Sequence, residues 1–183
     1  MKPHHGLTLI ELVTALAILA LLTWLGVAFL QPMMVANRLT SQTNELLAAY
    51  QTARAEAIRL NRPVRLCRAA NATAVACAGG AQAAWAHWII VRPDNNDIIK
   101  RGEIRPNLVV RASSNLTNDI IVIRSDGLPV NTGGSALTGT LQVCAATANP
   151  AENARRIRIE LSRAVVERAS LGAGGCANAP GNN

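Results

Sequence analysis

A single carboxylate stands inside a membrane-length apolar run. Residues 7–30 comprise 24 positions, and Glu11 is the only one that ionises. A helix crosses a hydrocarbon core of about 30 Å with around 20 apolar residues. An acid within such a run costs about 2.5–3.5 kcal/mol on insertion scales, which argues that it is kept for a use. Burial becomes tolerable when a cation pairs with it; the plainer reading is a carboxylate that snorkels to the interface. Two other groups carry chemistry. Cys67, Cys77, Cys144 and Cys176 all follow the run, where an extracytoplasmic domain would be oxidised. Four cysteines allow three pairings. The expected one joins Cys67 to Cys77 around a short Ala/Asn-rich loop, and leaves Cys144 with Cys176 to pin the Gly-rich tail. Arg155, Arg156, Arg158, Arg163 and Arg168 crowd near the C-terminus, with Glu152, Glu160 and Glu167 among them. Such a patch either neutralises the phosphates of double-stranded DNA without sequence readout or is the solvated face of a basic protein.

The elements that position these groups follow from pattern. Only Lys2 and the α-amino group carry charge ahead of the run, which favours a cytoplasmic N-terminus. A secretory signal has a shorter apolar region, about 7–15 residues, closed by an A-x-A-like site. Here the run flows on into a helical pattern. Leu39, Thr43, Leu46, Tyr50, Ala53, Ala57 and Leu60 trace one helical face, widened by Leu47 and Ile58, while Gln42, Glu45, Gln51, Arg54 and Arg59 lie mostly off it. Pro63 stops the helix, and Asn61 suits the stop. The pattern predicts one helix over residues 9–61, bent near Pro32.

Beyond Pro63 the pattern turns to strands: residues 64–66, 85–91, 98–100, 108–111, 120–124, 141–144, 156–161 and 163–168. Pro93-Asp94-Asn95-Asn96, Ser125-Asp126-Gly127 and Thr132-Gly133-Gly134 read as turns. The tail from 172 to 183 is predicted to be loose apart from Cys176. Aromatic residues make up only 3% of the chain, so any core relies on Val, Ile, Leu and Ala; the formal charge is +7 and the pI about 10.3. A chain of 183 residues suits one anchor and one modest domain.

The segment Gly6-Leu7-Thr8-Leu9-Ile10-Glu11-Leu12 resembles the class III leader of type IV prepilins and type II secretion pseudopilins, although that family most often has Phe where Leu7 stands. The resemblance implies that prepilin peptidase cuts between Gly6 and Leu7 on the cytoplasmic side of the membrane, and that the new N-terminus is methylated. It also implies that Glu11 neutralises the free α-amino group of a neighbouring subunit in a fibre. Later motifs in order along the chain are similar to the GspH/FimT branch of minor pilins: Ala53-Arg54-Ala55-Glu56-Ala57-Ile58, Pro63-Val64-Arg65-Leu66-Cys67, Cys77-Ala78-Gly79-Gly80, Trp88-Ile89-Ile90-Val91, Leu141-Gln142-Val143-Cys144 and Arg155-Arg156-Ile157-Arg158-Ile159. DNA-binding members place a Gly-Arg-x-Arg turn and strand after the Arg-rich strand. Here that stretch reads Ser162-Arg163-Ala164-Val165-Val166-Glu167-Arg168, without the glycine and with a glutamate added.

The fold class expected is α+β and pilin-like, a long N-terminal helix packed on a C-terminal antiparallel β-sandwich-like domain. The layout is a leader (1–6), a transmembrane and assembly helix (7–30), its amphipathic second half (31–62), a periplasmic β-rich domain (63–171) and a Gly-rich tail (172–183). The expected partners are other pilins or pseudopilins, prepilin peptidase and the bacterial inner membrane, crossed once. The function expected is that of a non-enzymatic minor pilin or pseudopilin; the alternative is a pilus-associated DNA receptor acting through the basic patch. No Ser/His/Asp or Cys/His set has a recognisable catalytic context. No cofactor or metal site is expected: His87 between Trp85 and Trp88 reads as a strand residue, and Asp94 and Asp97 as turn residues rather than calcium ligands.

Overall fold

Helix ends, strand register and glycine contacts set the architecture. It is seen in a computed structural model that describes residues 8–80, 82–161, 163–172 and 174–182, leaving out the side chains of 25–29. Gly6, Leu7 and the rest of the expected leader lie outside the described residues. The long helix α1 spans Leu9–Leu60 and contains Pro32. The chain forms two compact units, Met1–Met34 and Val35–Asn183.

In the first unit α1 leaves Leu9, Ile10, Leu12, Val13, Leu16, Ile18, Leu19, Leu21, Leu22 and Trp24 exposed. Among the described residues no helix is long and apolar enough to cross a membrane. The expected span, 7–30, overlaps Leu7 and the side chains of 25–29. Its fully described part, 8–24, is shorter than the around 20 residues a bilayer requires.

The second unit begins with the rest of α1. The helix ends in a Schellman arrangement: Asn61 takes a left-handed φ of 50°, its N–H donates to Ile58 O, and the Arg62 N–H donates to Ala57 O. Asn tolerates that conformation, and Pro63 then prevents the helix from continuing. Nine strands follow: β1 Val64–Ala69, β2 His87–Val91, β3 Ile98–Glu103, β4 Leu108–Ala112, β5 Ile120–Ile123, β6 Pro129–Val130, β7 Thr138–Ala145, β8 Ala154–Glu160 and β9 Arg163–Ala169. They form a five-stranded sheet, β3-β2-β1-β5-β6, and a four-stranded sheet, β4-β7-β8-β9. All pairings are antiparallel. The α+β architecture expected from the sequence, a long N-terminal helix followed by an antiparallel β domain of two sheets, is the one observed.

One apolar cluster unites the inner faces of both sheets with α1. It includes Leu39, Leu46, Tyr50, Ala53 and Ala57 of the helix, Leu66, Trp88, Ile90 and Ile121 of the larger sheet, and Leu141, Val143, Ile157 and Ile159 of the smaller. Strand side chains alternate between faces, so the neighbours of these residues point outward. Cys67 therefore joins Ala69, Ile89 and Val91 in a second cluster, and Cys144 joins Ala154 and Cys176 in a third. Cys67 is bonded to Cys77 and Cys144 to Cys176, so a disulfide lies in the outer cluster of each sheet. Two glycines allow close packing. A Cβ on Gly102 would lie 2.2 Å from the Trp88 ring, and one on Gly139 would lie 2.1 Å from Leu116 Cδ1.

Three sequence-based expectations are corrected. Gln42, expected mostly off the buried stripe, is fully buried. Its Oε1 accepts from the Arg105 N–H at 2.9 Å and its Nε2 donates to Glu103 O at 3.4 Å, so a polar residue caps the chain between β3 and β4. Ile58, expected to widen the stripe, is 55% exposed. The tail is not loose in its described part. Residues Gly175–Ala177 form a 3₁₀ turn around the buried Cys176. The Asn182 side chain accepts from the Asn115 N–H and donates to Ser114 Oγ.

Candidate functional site

The acid of the apolar run sits in the first turn of α1. Thr8 precedes the helix, and its N–H and Oγ1 both lie 3.2 Å from Glu11 Oε2. The Glu11 N–H is directed to Thr8 Oγ1 at 3.4 Å. This is the reciprocal arrangement of a capping box, in which Thr and a Glu three residues later satisfy helix-end donors. Its signature, Thr8-x-x-Glu11, is local and present in the sequence. The carboxylate thus has a local task within this chain, and its negative charge lies at the positive end of the helix dipole. The proposed cleavage pair, Gly6 and Leu7, lies outside the described residues.

The arginines of β8 and β9 do not form one patch. Arg155 and Arg168 are register partners, as are Arg156 and Glu167, and Glu160 and Arg163. Alternation sends Arg155, Ile157 and Ile159 inward and Arg156, Arg158 and Glu160 outward. Arg155 and Arg168 therefore share the helix side of the sheet, while Arg156, Arg158 and Arg163 share the other. On the outer side, the Arg156 Nε donates to Gln142 Oε1 at 3.0 Å. Arg158 is held by Glu160 and by Glu167 at 3.0 Å. The Glu160 charge, followed by that of Glu167, raises the Arg158 pKa above its ordinary value. On the inner side, Arg155 is 7% exposed. Burial lowers its pKa, the Arg168 charge adds to that, and Glu152 opposes it.

A polar junction around Asp119 joins the two sheets, and the sequence did not signal it. Asp119 is fully buried and left-handed, with φ of 59°. Its Oδ2 accepts from the Arg68 Nε of β1 at 3.0 Å, and its Oδ1 accepts from the Gln82 N–H at 2.8 Å. Arg68 Nη2 also donates to the carbonyls of Gly79 and Gly80. Arg111 of β4 donates to Gln82 O at 2.7 Å and to Cys176 O at 3.3 Å. The residues involved span 68 to 176, a separation that no local motif encodes.

Asp94 and Asp97 lie at the β2–β3 turn and face cations. Arg62 is 2.8 Å from Asp94, and Arg92 is 2.6 Å from Asp97. His87 begins β2, opposite Glu103. Among the described residues no group of three His, Cys, Asp or Glu side chains could hold a metal ion.

Comparison with known proteins gives two kinds of match. The family model described as Type II transport protein GspH matches residues 42–164, and the prokaryotic N-terminal methylation motif matches residues 1–27. Among solved structures, the chain is similar to the type IV minor pilin FimU of Pseudomonas aeruginosa in two crystal forms. In one, the TM-score is 0.53 at 17% identity, covering 79% of this chain and 94% of that one. In the other it is 0.52 at 17% identity, covering 78% and 97%. Similarity at that identity speaks for the fold alone. None of the curated proteins compared matches the chain.

Proposed function

The chain belongs to the GspH family, and from that premise we propose that it is a minor pilin or pseudopilin, a non-enzymatic structural subunit of a type IV pilus or a type II secretion pseudopilus. Prepilin peptidase cuts between Gly6 and Leu7, Leu7 becomes the methylated N-terminus, and residues 7–30 insert once into the bacterial inner membrane. The β domain then stands in the periplasm, and the N-terminal helix packs with those of other pilins. The methylation-motif match over residues 1–27 supports the processing step. The two disulfides support an oxidising compartment for the β domain. The row of exposed apolar side chains in the first unit supports an environment of lipid or packed helices.

The observation that carries the reading is the single carboxylate of the apolar run, placed in the first helical turn. Its bonds to Thr8 use neutral donors and leave the negative charge uncompensated. In a dry bundle an unpaired charge is costly, and the ammonium of a neighbouring subunit's N-terminus would offset it. The capping box makes two variants necessary. Glu11→Ala removes the charge and the side-chain acceptor of the Thr8 N–H, while the Thr8 hydroxyl still accepts from the backbone N–H of residue 11. Glu11→Gln retains a side chain able to accept the same bonds and removes only the charge. Both variants are expected to insert and to be cleaved, and neither to enter fibres isolated from cells. Recovery of Glu11→Gln in fibres at the wild-type level would refute pairing through charge. The alternative of a duplex-DNA receptor has less support, because the arginines divide between two faces and Arg158 is neutralised by Glu160 and Glu167.

A further inference from the structure

A cavity of about 170 Å³ lies between α1 and the β8–β9 hairpin, lined by Thr40, Thr43, Asn44, Arg155, Val166 and Arg168. Arg155 is the unusual member. Its side chain is almost wholly buried, yet among the described residues no carboxylate forms an ion pair with it. Its hydrogen bonds use Nη1 alone, to the backbone oxygens of Glu152 at 3.0 Å and Ala154 at 2.9 Å. The acid that acts on it, Glu152, is engaged by Arg168 at 3.2 Å. The group as a whole, two arginines and one glutamate, carries one uncompensated positive charge. The Nε and Nη2 of Arg155 are not sealed from water, so the charge is hydrated through the cavity, where an anion can replace the water.

We propose that this cavity is an oxyanion site, which takes a single phosphate or carboxylate group on Arg155 and Arg168. The Nε and Nη2 of Arg155 remain free to donate, and a guanidinium presents paired donors that match two oxygens of such a group. Thr40 and Asn44 add a hydroxyl and an amide from the helix. Thr43 does not, because its hydroxyl donates to Leu39 O at 2.7 Å. The volume accommodates one tetrahedral or planar oxyanion together with waters. The recess, with cations on one wall only, also fits a single anionic group better than a duplex backbone, which needs a row of exposed cations.

The test is thermal unfolding of the full chain in detergent micelles at fixed ionic strength, with sodium chloride exchanged for inorganic phosphate. A parallel titration uses N-acetylglutamate amide, whose only charge is a side-chain carboxylate. The melting temperature is expected to rise with the logarithm of anion concentration, by about 5–10 °C at a hundredfold excess over Kd. A rise with phosphate alone assigns a free phosphate-type ligand. A rise with the glutamate amide as well assigns an acidic side chain of a docking protein. Arg155→Met should abolish the logarithmic rise. Asn44→Asp places a carboxylate at the cavity and should raise the melting temperature without added anion while removing the response. A wild-type response no different from that to chloride would overturn the site, as would an Asn44→Asp variant that is less stable and still responds to phosphate.

Discussion

Removing the Asp119 carboxylate should be the most destabilising single truncation outside the apolar core. In wild type it accepts from the Arg68 guanidinium at 3.0 Å and from the Gln82 N–H at 2.8 Å. The Arg68 side chain is 13% exposed and that of Asp119 wholly buried. Asp119→Ala leaves a buried cation and a buried N–H without their acceptor, which costs about 3–5 kcal/mol for a broken buried pair. It also puts Ala in the left-handed conformation, which Asp tolerates better. Against a domain stability of about 5–15 kcal/mol, this is a large fraction. At 2–4 °C per kcal/mol for a chain of this size, the melting temperature should fall by about 6–20 °C. Asp119→Asn retains an acceptor for Gln82 and the tolerance of positive φ, and should lose only about 1–2 kcal/mol of charge assistance. The control is Asp126→Ala, which breaks the exposed Arg124–Asp126 pair and should cost less than about 1 kcal/mol. Urea unfolding of the full chain in detergent, followed by fluorescence of the buried Trp85 and Trp88, measures all three. Asp119→Ala within 1 kcal/mol of wild type, or no costlier than Asp126→Ala, would refute the role of this junction.

Three further outcomes are expected. Gly102→Ala drives a methyl into the Trp88 ring and should destabilise by about 1–3 kcal/mol; Gly79→Ala, which meets nothing within 4 Å, should cost little in the same urea assay. Leu161→Gly should stabilise by about 1 kcal/mol, because an exposed leucine is held at φ of 52° between β8 and β9 and glycine carries no Cβ penalty there; a fall in midpoint would refute it. Tyr50 is the chain's single tyrosine, so its phenolate absorbance reports one group. Burial raises its pKa, opposed by the Arg54 charge. Its contribution to stability is therefore complete below the ordinary phenol range and declines as pH rises through the folded value. A titration midpoint at or below about 10 would contradict that burial effect.

Much of the fold was legible because its signals are local. The apolar run, the Leu39–Leu46–Ala53–Ala57 spacing, the Asn61-x-Pro63 stop and the alternation of arginines with Ile157 and Ile159 all follow from helix and strand periods that neighbouring residues share. The Thr8-x-x-Glu11 cap is equally local, although two physical rules, capping and the cost of an acid in lipid, apply to the same carboxylate. What periodicity could not supply was which residues from distant segments meet. Gln42 is buried because the chain between β3 and β4 crosses it with unpaired backbone groups. Asp119 is buried because β1, the segment that follows Cys77 and the turn before β5 converge there. The five arginines looked like one basic surface along the chain. Only pairing of β8 with β9 in a particular register could divide them, since a pleat sends alternate residues to opposite faces and the partner strand decides what stands beside each. Periods of two and 3.6 are properties of the backbone and can be read from a string of letters. Charge balance and burial are properties of position in space, which closes only when the sheets and the helix share one core.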